Sequence, residues 1–373
     1  MTAEPTTSSH DPDNPGGVPP SDERVRTVNW FQEALSKPSS GAIIAALVAF
    51  LVFSWPLWEC LGDAGACYGK GFLSARGIAN WLDVAAQVGI LATAVTLLMI
   101  AGEFDLSVGS MIGAAGMIIA IGMTEFALPP FIAVAVAFAF ALSVGAFNGW
   151  LVVRTGLPSF IVTLGMLFLL RGVTIGLTRF ITNRTQVGGL SEYTEGDVFS
   201  SLFTGELTVP VLDVELEASV LWWILLTVVA AYILFRTTFG NWIFGTGGNK
   251  VSARNVGVPV RRVKISLFMA TAGAAALLAT IQVLEFSSAD TARGTLKELE
   301  AIAAAVIGGN LLTGGYGSPI GTFFGALTLG MTQVGIPMAG LPGDWFRAVL
   351  GVVLLVAVVG SNWVRVRGTG VRS

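Results

Sequence analysis

Residues 84–126 read VAAQVGILATAVTLLMIAGEFDLSVGSMIGAAGMIIAIGMTEF. Two apolar runs, 84–101 and 106–126, are parted only by Gly102-Glu103-Phe104-Asp105. The runs are continuous, which marks membrane-spanning helices rather than the alternating short segments of a membrane β-barrel. Glu103 and Asp105 are therefore placed where a carboxylate is costly unless a partner or a polar cavity receives it.

The rest of the chain repeats the pattern. Apolar spans are read at 41–58, 131–153, 157–177, 220–236, 265–285, 299–308, 317–336 and 345–361, making ten, of which 299–308 is short for a crossing of about 20 residues. Hydrophobic residues make up 53% of the chain and charged residues 12%. A soluble domain carries roughly 25% charged residues, so too few charges remain here to cover a water-facing surface. The prediction is an all-α polytopic membrane protein of about ten transmembrane helices with an internal repeat. Its membrane domain covers 41–361, between a disordered or amphipathic tail at 1–40 and a short tail at 362–373.

Charge and composition narrow the function. A net charge of −3 argues against a nucleic-acid partner. The single histidine, His10, lies in a polar, Pro- and Ser-rich tail, so no metal site is expected. That tail lacks the apolar core of a signal peptide; residues 22–36 suit a short amphipathic helix on the lipid surface. Cys60 and Cys67 flank one loop and suit either a disulfide or two free thiols. Ten spans put both termini on one side, together with Arg154, Arg236, Lys250, Arg254, Arg261, Arg262, Lys264 and Arg365; the opposite side has fewer basic residues, Arg171 and Arg179 among them. The basic side is read as cytoplasmic. The 178–219 loop on the other side carries an alternating stretch that suits a small hairpin or a surface-lying segment, and Asn183-Arg184-Thr185 within it is read as a chance sequon.

The segment Gly102 to Gly113 is echoed at Gly309 to Gly321, with a shared G-S-x-I-G core offset by 208 positions. The offset overlays spans 84–101, 106–126 and 131–153 on 299–308, 317–336 and 345–361, as parallel repeats. Transporters commonly arise by duplication, with the solute site near the repeat interface, and broken helices at membrane depth face protein or a water-filled cavity.

Two sets of residues are candidates for function. For the transport pathway they are Glu103, Asp105, Ser107, Asn148, Thr163 and Asn310. Asp105 suits both pathway lining and capping of the run after it; Thr163 suits a bond across helices or within its own turn. The second set lies in the basic, Gly-rich loop 236–264: Gly247, Gly248, Asn249, Ala253, Arg254 and Gly257. Residues 250–258 are expected to form a short helix with Ala253 and Val256 on one side, ended by Gly257. Such a helix suits docking on a soluble motor, and equally a basic loop held near anionic lipid. The chain has no G-x-x-x-x-G-K-S/T phosphate loop, so ATP chemistry would require other subunits.

Gly102-x-x-Asp105-Leu106-Ser107-Val108-Gly109-Ser110 resembles the G-G-I-D-L-S-V-G-S signature of the ribose, xylose and arabinose-type ABC permeases, a family shared more distantly with branched-chain amino-acid permeases. Asn148-Gly149 followed by Pro158 to Gly165, Phe239 through Gly257, and Gly308 to Ser318 are similar to its later blocks, over roughly 80–361. The resemblance implies a permease subunit, not an enzyme, in a bacterial inner membrane with both termini cytoplasmic. It implies cytoplasmic ABC ATPase subunits, a periplasmic solute-binding protein and a second permease copy as partners, a monosaccharide as the small polar solute, membrane lipid around it, and no cofactor. It also implies that the 247–257 segment docks on the ATPase. A branched-chain amino-acid permease and an ion-coupled secondary transporter are the alternatives. Two departures stand out: Glu103 occupies a place usually held by Gly, and Asn241 one usually held by Arg.

Overall fold

The computed structural model describes residues 38–54, 71–209, 214–352 and 355. The amphipathic segment 22–36, the Cys60–Cys67 loop, the tail 362–373 and most of the span expected after residue 352 lie outside the described residues.

The helices follow the apolar runs. They are α1 (Pro38–Ser54), α2 (Ala75–Ile100), α3 (Val108–Thr124), α4 (Pro130–Thr155) and α5 (Ser159–Thr182). A short region follows, with β1 (Gln186–Gly188), α6 (Ser191–Thr194), α7 (Val198–Thr204), β2 (Glu206–Val209) and β3 (Val214–Glu217). Next come α8 (Ala218–Arg236), α9 (Thr238–Gly248), α10 (Lys250–Asn255) and α11 (Val260–Glu285). β4 (Ser288–Asp290), α12 (Lys297–Ile307) and α13 (Pro319–Met338) complete the named elements, and residues 345–352 are helical again. Each of the ten expected spans thus has a helix. The hairpin expected within 178–219 is β2–β3, and β1 pairs antiparallel with β4.

Among the described residues five helices, α2, α4, α5, α8 and α11, are long and apolar enough to cross a membrane. Burial sorts them. The apolar windows of α2 and α11 are 78% and 83% buried, against 17% for α5 and 33% for α4. α2 and α11 are therefore the inner posts, and α4 and α5 turn apolar side chains such as Phe131, Phe160, Phe168 and Phe180 outward, as helices bathed in lipid do. The 17-residue α3 is almost wholly buried and packs on α4, α5 and α11. Small residues permit the closest approach: a Cβ on Gly145 or Gly149 of α4 would clash with the α11 backbone at Phe268 and Ile265. Where apolar burial gives no net drive, such small-residue contacts hold helices together.

Several boundaries differ from the sequence expectation. α2 begins at Ala75 rather than 84, because Ser74 caps it by accepting the Gly77 N–H at 3.0 Å. α5 runs on past 177 to Thr182, so Arg179 is a helical residue and not a loop charge; Arg171, inside the expected span, donates to Thr295 Oγ1 at 2.7 Å. The 236–264 loop holds two helices, α9 and α10, where one was expected.

The repeat is visible in the backbone. At the end of α2, Gly102 N–H donates to Met99 O and Glu103 N–H to Leu98 O. At the end of α12, Gly309 N–H donates to Val306 O and Asn310 N–H to Ala305 O. Both are Schellman closures around a left-handed glycine, with φ of 79° at Gly102 and 83° at Gly309. The equivalent glycines lie 207 apart, whereas the G-S-x-I-G echo at 208 falls inside α3 in one copy and across the start of α13 in the other. The structural repeat is thus carried by the closing glycine rather than by that core. α13 runs antiparallel to α2, since Thr322 meets Thr96 and Gly330 meets Ala85. It is also antiparallel to α12, since a Cβ on Gly325 would meet Ala304 and one on Gly308 would meet Thr322. α2 and α12 are therefore parallel, as the sequence echo implied.

Candidate functional site

Two broken helices meet at one end of the bundle. The first break, between α2 and α3, spans 101–107; the second, between α12 and α13, spans 308–318. They touch through Gly315 N–H, which donates to Ile100 O at 2.8 Å.

The first break is stitched to its neighbours by polar side chains. Asp105, only 2% exposed, accepts from Ser107 N–H at 2.9 Å and Ser107 Oγ at 2.6 Å through Oδ1. Its Oδ2 accepts from Thr271 Oγ1 on α11 at 2.7 Å. Asn148 of α4 donates to Ser107 Oγ at 3.0 Å. On the other side α5 supplies acceptors for two backbone N–H groups that the break leaves open. Ser159 Oγ takes that of Phe104 at 3.0 Å, and Thr163 Oγ1 takes that of Leu106 at 3.1 Å. Ser159 and Thr163 are four apart and so share a helix face. Asp105 does not cap α3 in the expected way: the cap position is Ser107, and Asp105 instead closes a turn onto Ser107 N–H.

Glu103 has a partner that the sequence did not reveal. It forms an ion pair with Lys264 of α11, with each side chain 11% exposed. Lys264 read as one more basic loop residue, but α11 begins at Val260 and carries it inside. Lys264 and Thr271 are seven apart on one face of α11, and each receives one carboxylate of the break.

Asn310 belongs to the second break and not to this cluster. It accepts from Ser318 N–H at 2.7 Å and donates to Ala305 O and to Thr322 Oγ1. Of the six pathway candidates, Glu103, Asp105, Ser107, Asn148 and Thr163 are thus brought together, while Asn310 organises the adjoining break.

The second candidate set lies beside both breaks. Gly247 of α9 packs so tightly that a Cβ there would collide with Ile100 O and with Gly315 N. Gly248 ends α9. Asn249 caps α10 by accepting from Val251 and Ser252 N–H, each at 3.0 Å. Gly257, at φ 87°, ends the segment. Ala253 is buried and Val256 is 80% exposed, so these two do not share a side as the sequence suggested. The exposed face of the segment carries Val251, Arg254 and Val256 instead.

At the opposite end of α2 lies a polar cavity of about 770 Å³, lined by residues that include Asp83, Gln87, Glu206, Glu215, Glu217 and Glu285. Asp83 accepts from Ser219 and Gln87, and Gln87 accepts from Gln282. Burial pushes the Glu217 carboxyl above its usual range, and the charges of Asp83, Glu206 and Glu215 push it the same way. Sequence reading missed this cavity because its carboxylates come from α2, the hairpin and α11, far apart in the chain. Among the described residues, no group of three or more His, Cys, Asp or Glu is placed to hold a metal ion.

The chain is similar to several curated proteins along most of its length. The ribose import permease protein RbsC of Escherichia coli K12 is 35% identical over 347 residues, 92% of this chain and 97% of the relative. The xylose transport system permease protein XylH of the same organism is 30% identical over 362 residues, 85% and 90% of the two chains. Its inner membrane ABC transporter permease protein YjfF is 31% identical over 289 residues, 77% and 84%. Residues 77–358, which hold both breaks and the α9–α10 segment, match one family throughout, and the chain belongs to it: the family described as branched-chain amino acid transport system / permease component.

Proposed function

We propose that this chain is the membrane-spanning subunit of an ATP-driven importer for a monosaccharide of the ribose or xylose kind, handed over by a periplasmic binding protein. The observation that carries this reading is the 35% identity that spans 97% of a ribose import permease. The polar chemistry agrees with it. Hydroxyl-rich solutes need neutral donors and acceptors, and the first break offers Ser, Thr and Asn groups on three helices around its carboxylates.

In this reading the end of the bundle with α9 and α10 faces the cytoplasm with both termini, and the acidic cavity faces the periplasm. The Lys and Arg distribution supports that orientation. Gly247, Gly248, Asn249, Ala253, Arg254 and Gly257 form the docking segment for a separate ATPase, with Val251, Arg254 and Val256 as its contact face. A second permease copy completes the path. The two breaks are where the helices rearrange as the path opens alternately to each side, so Glu103, Asp105, Ser107, Asn148, Thr163 and Asn310 act as its seam.

Reconstitution tests the proposal. The permease is placed in liposomes with the ATPase subunits and binding protein that co-purify with it, and uptake of labelled ribose, xylose and leucine is followed. ATP-dependent pentose uptake is expected. Uptake of leucine alone would assign the amino-acid branch of the family, and pentose uptake driven by an ion gradient without ATPase would overturn the reading.

A further inference from the structure

The motor-docking segment is held to the first break at two consecutive residues, and the second of these attachments is an ion pair. Gly102, Gly247 and Gly314 bring three backbones together without side chains between them: Cβ atoms on Gly247 and Gly314 would collide with Ile100 O and with Gly102. This fixes the α9 arm of the docking segment to the end of α2. The next residue, Glu103, reaches across to Lys264. Lys264 lies one turn into α11, which follows α10 directly through Gly257, Val258 and Pro259, with Val258 N–H closing back onto Ala253 O at 3.0 Å. The α11 arm is thereby fixed to the same break. About two turns further along the same face of α11, Thr271 holds Asp105.

We propose that the Glu103–Lys264 pair is a coupling strut, which carries displacement of the α9–α10 segment into the broken helix so that movement of the motor and opening of the path stay in step. The proposal rests on the reading of the chain as the permease of an ATP-driven importer. The geometry suits the role. Both partners are nine-tenths buried, so water screens the pair weakly, and separating the charges is strongly opposed. The pair also bridges two elements 161 residues apart, one on each side of the docking segment. A glycine at 103 would leave Lys264 buried without its counter-charge, so the two residues function as a unit.

The test measures solute moved per ATP hydrolysed in liposomes containing the full complex, with ribose and xylose as probes. Glu103→Gln and Lys264→Gln are each expected to lower this ratio at least fivefold. The exchange Glu103→Lys with Lys264→Glu is expected to recover at least half of the wild-type ratio. Recovery separates a strut from simple lining of the path, which an exchange of charges would not restore. A ratio equal to wild type in both single variants overturns the proposal, whatever the absolute rates. So does an exchange variant that inserts and assembles but remains as uncoupled as the single ones. A wild-type complex without ATP-driven uptake would instead refute the importer reading itself.

Discussion

The two breaks share a backbone closure and differ in what holds them. The second is sewn to itself: Asn310 bonds Ser318 N–H ahead of it, Ala305 O behind it and Thr322 in the first turn of α13, while Leu311 N–H reaches Tyr316 O. These partners lie within the same helix–break–helix unit, and two bonds that leave it, Gly315 N–H to Ile100 O and Thr322 to Thr96, both go to α2. The first break is sewn to others. Five of its residues, Glu103 to Ser107, are held by α4, α5 and α11 through Asn148, Ser159, Thr163, Lys264 and Thr271. A self-closed break moves as a body; a break tied to three helices changes shape when any of them shifts. The second break is thus built as a buttress and the first as a junction.

If that contrast holds, breaking the second junction should harm the fold and breaking the first should harm transport. Asn310→Ala carries the largest expected effect. It leaves the buried Ser318 N–H without its acceptor, a loss of about 1–3 kcal/mol, and takes one of two donors from Ala305 O, which keeps the backbone N–H of residue 310. The melting temperature in detergent should fall by several degrees, with uptake falling in proportion to the loss of folded protein. A stable but inactive Asn310→Ala protein would break the comparison by making the second break functional in its own right.

Asp105→Ala should do the reverse, lowering uptake tenfold or more with a smaller loss of thermal stability. Asp105→Asn keeps an acceptor for Ser107 N–H and loses the charge; an intermediate uptake is expected. Wild-type uptake in that variant would remove any role for the charge and leave only the turn.

Arg254→Glu sharpens the contrast from outside. It reverses the charge on the exposed face of α10 without touching either break, so the permease should insert and melt normally while less ATPase co-purifies with it. Unchanged co-purification would remove Arg254 from the docking face.

Much of this arrangement was legible in the sequence for a simple reason. Apolar runs report burial in lipid locally, so each expected span found its helix, including the short one that became α12. The unusual pair Glu103 and Asp105 announced the first break because two carboxylates between apolar runs need either a cap to make or a polar partner to receive them. What stayed hidden depends on pairing across the chain. Lys264 looked like a topogenic loop charge because its partner lies 161 residues away and because five residues of α11 precede the apolar run that marked it. The repeat was found at an offset of 208 through side-chain identity, yet the backbone closes on glycines 207 apart. The left-handed turn needs glycine for its φ, whereas Gly109, Gly113, Gly317 and Gly321 of the echo are needed for close packing, since a Cβ on any of them would collide with a neighbour. The acidic cavity was invisible for the same reason as Lys264, since no single segment holds enough of it to stand out.

Thr163→Val is the mildest of the tests and the most discriminating for the first break. The substitution preserves shape and removes the acceptor for Leu106 N–H, along with the bond that ties Thr163 to Ser159 O at 2.8 Å. The buried Leu106 N–H loses its acceptor, at about 1–3 kcal/mol, so the melting temperature should fall by no more than a few degrees. Transport should nonetheless fall two- to threefold, because the α5 side of the junction loses one of its two stitches while Asp105 keeps the α11 side in place. Thr322→Val is the matched control in the second break. It removes bonds to Thr96 at 2.6 Å and to Asn310 at 2.8 Å, and its effect should appear in the melting temperature before it appears in uptake. Equal effects of the two substitutions on both readouts would mean that the breaks are energetically alike, and that the division into buttress and junction describes their bonding without describing their work.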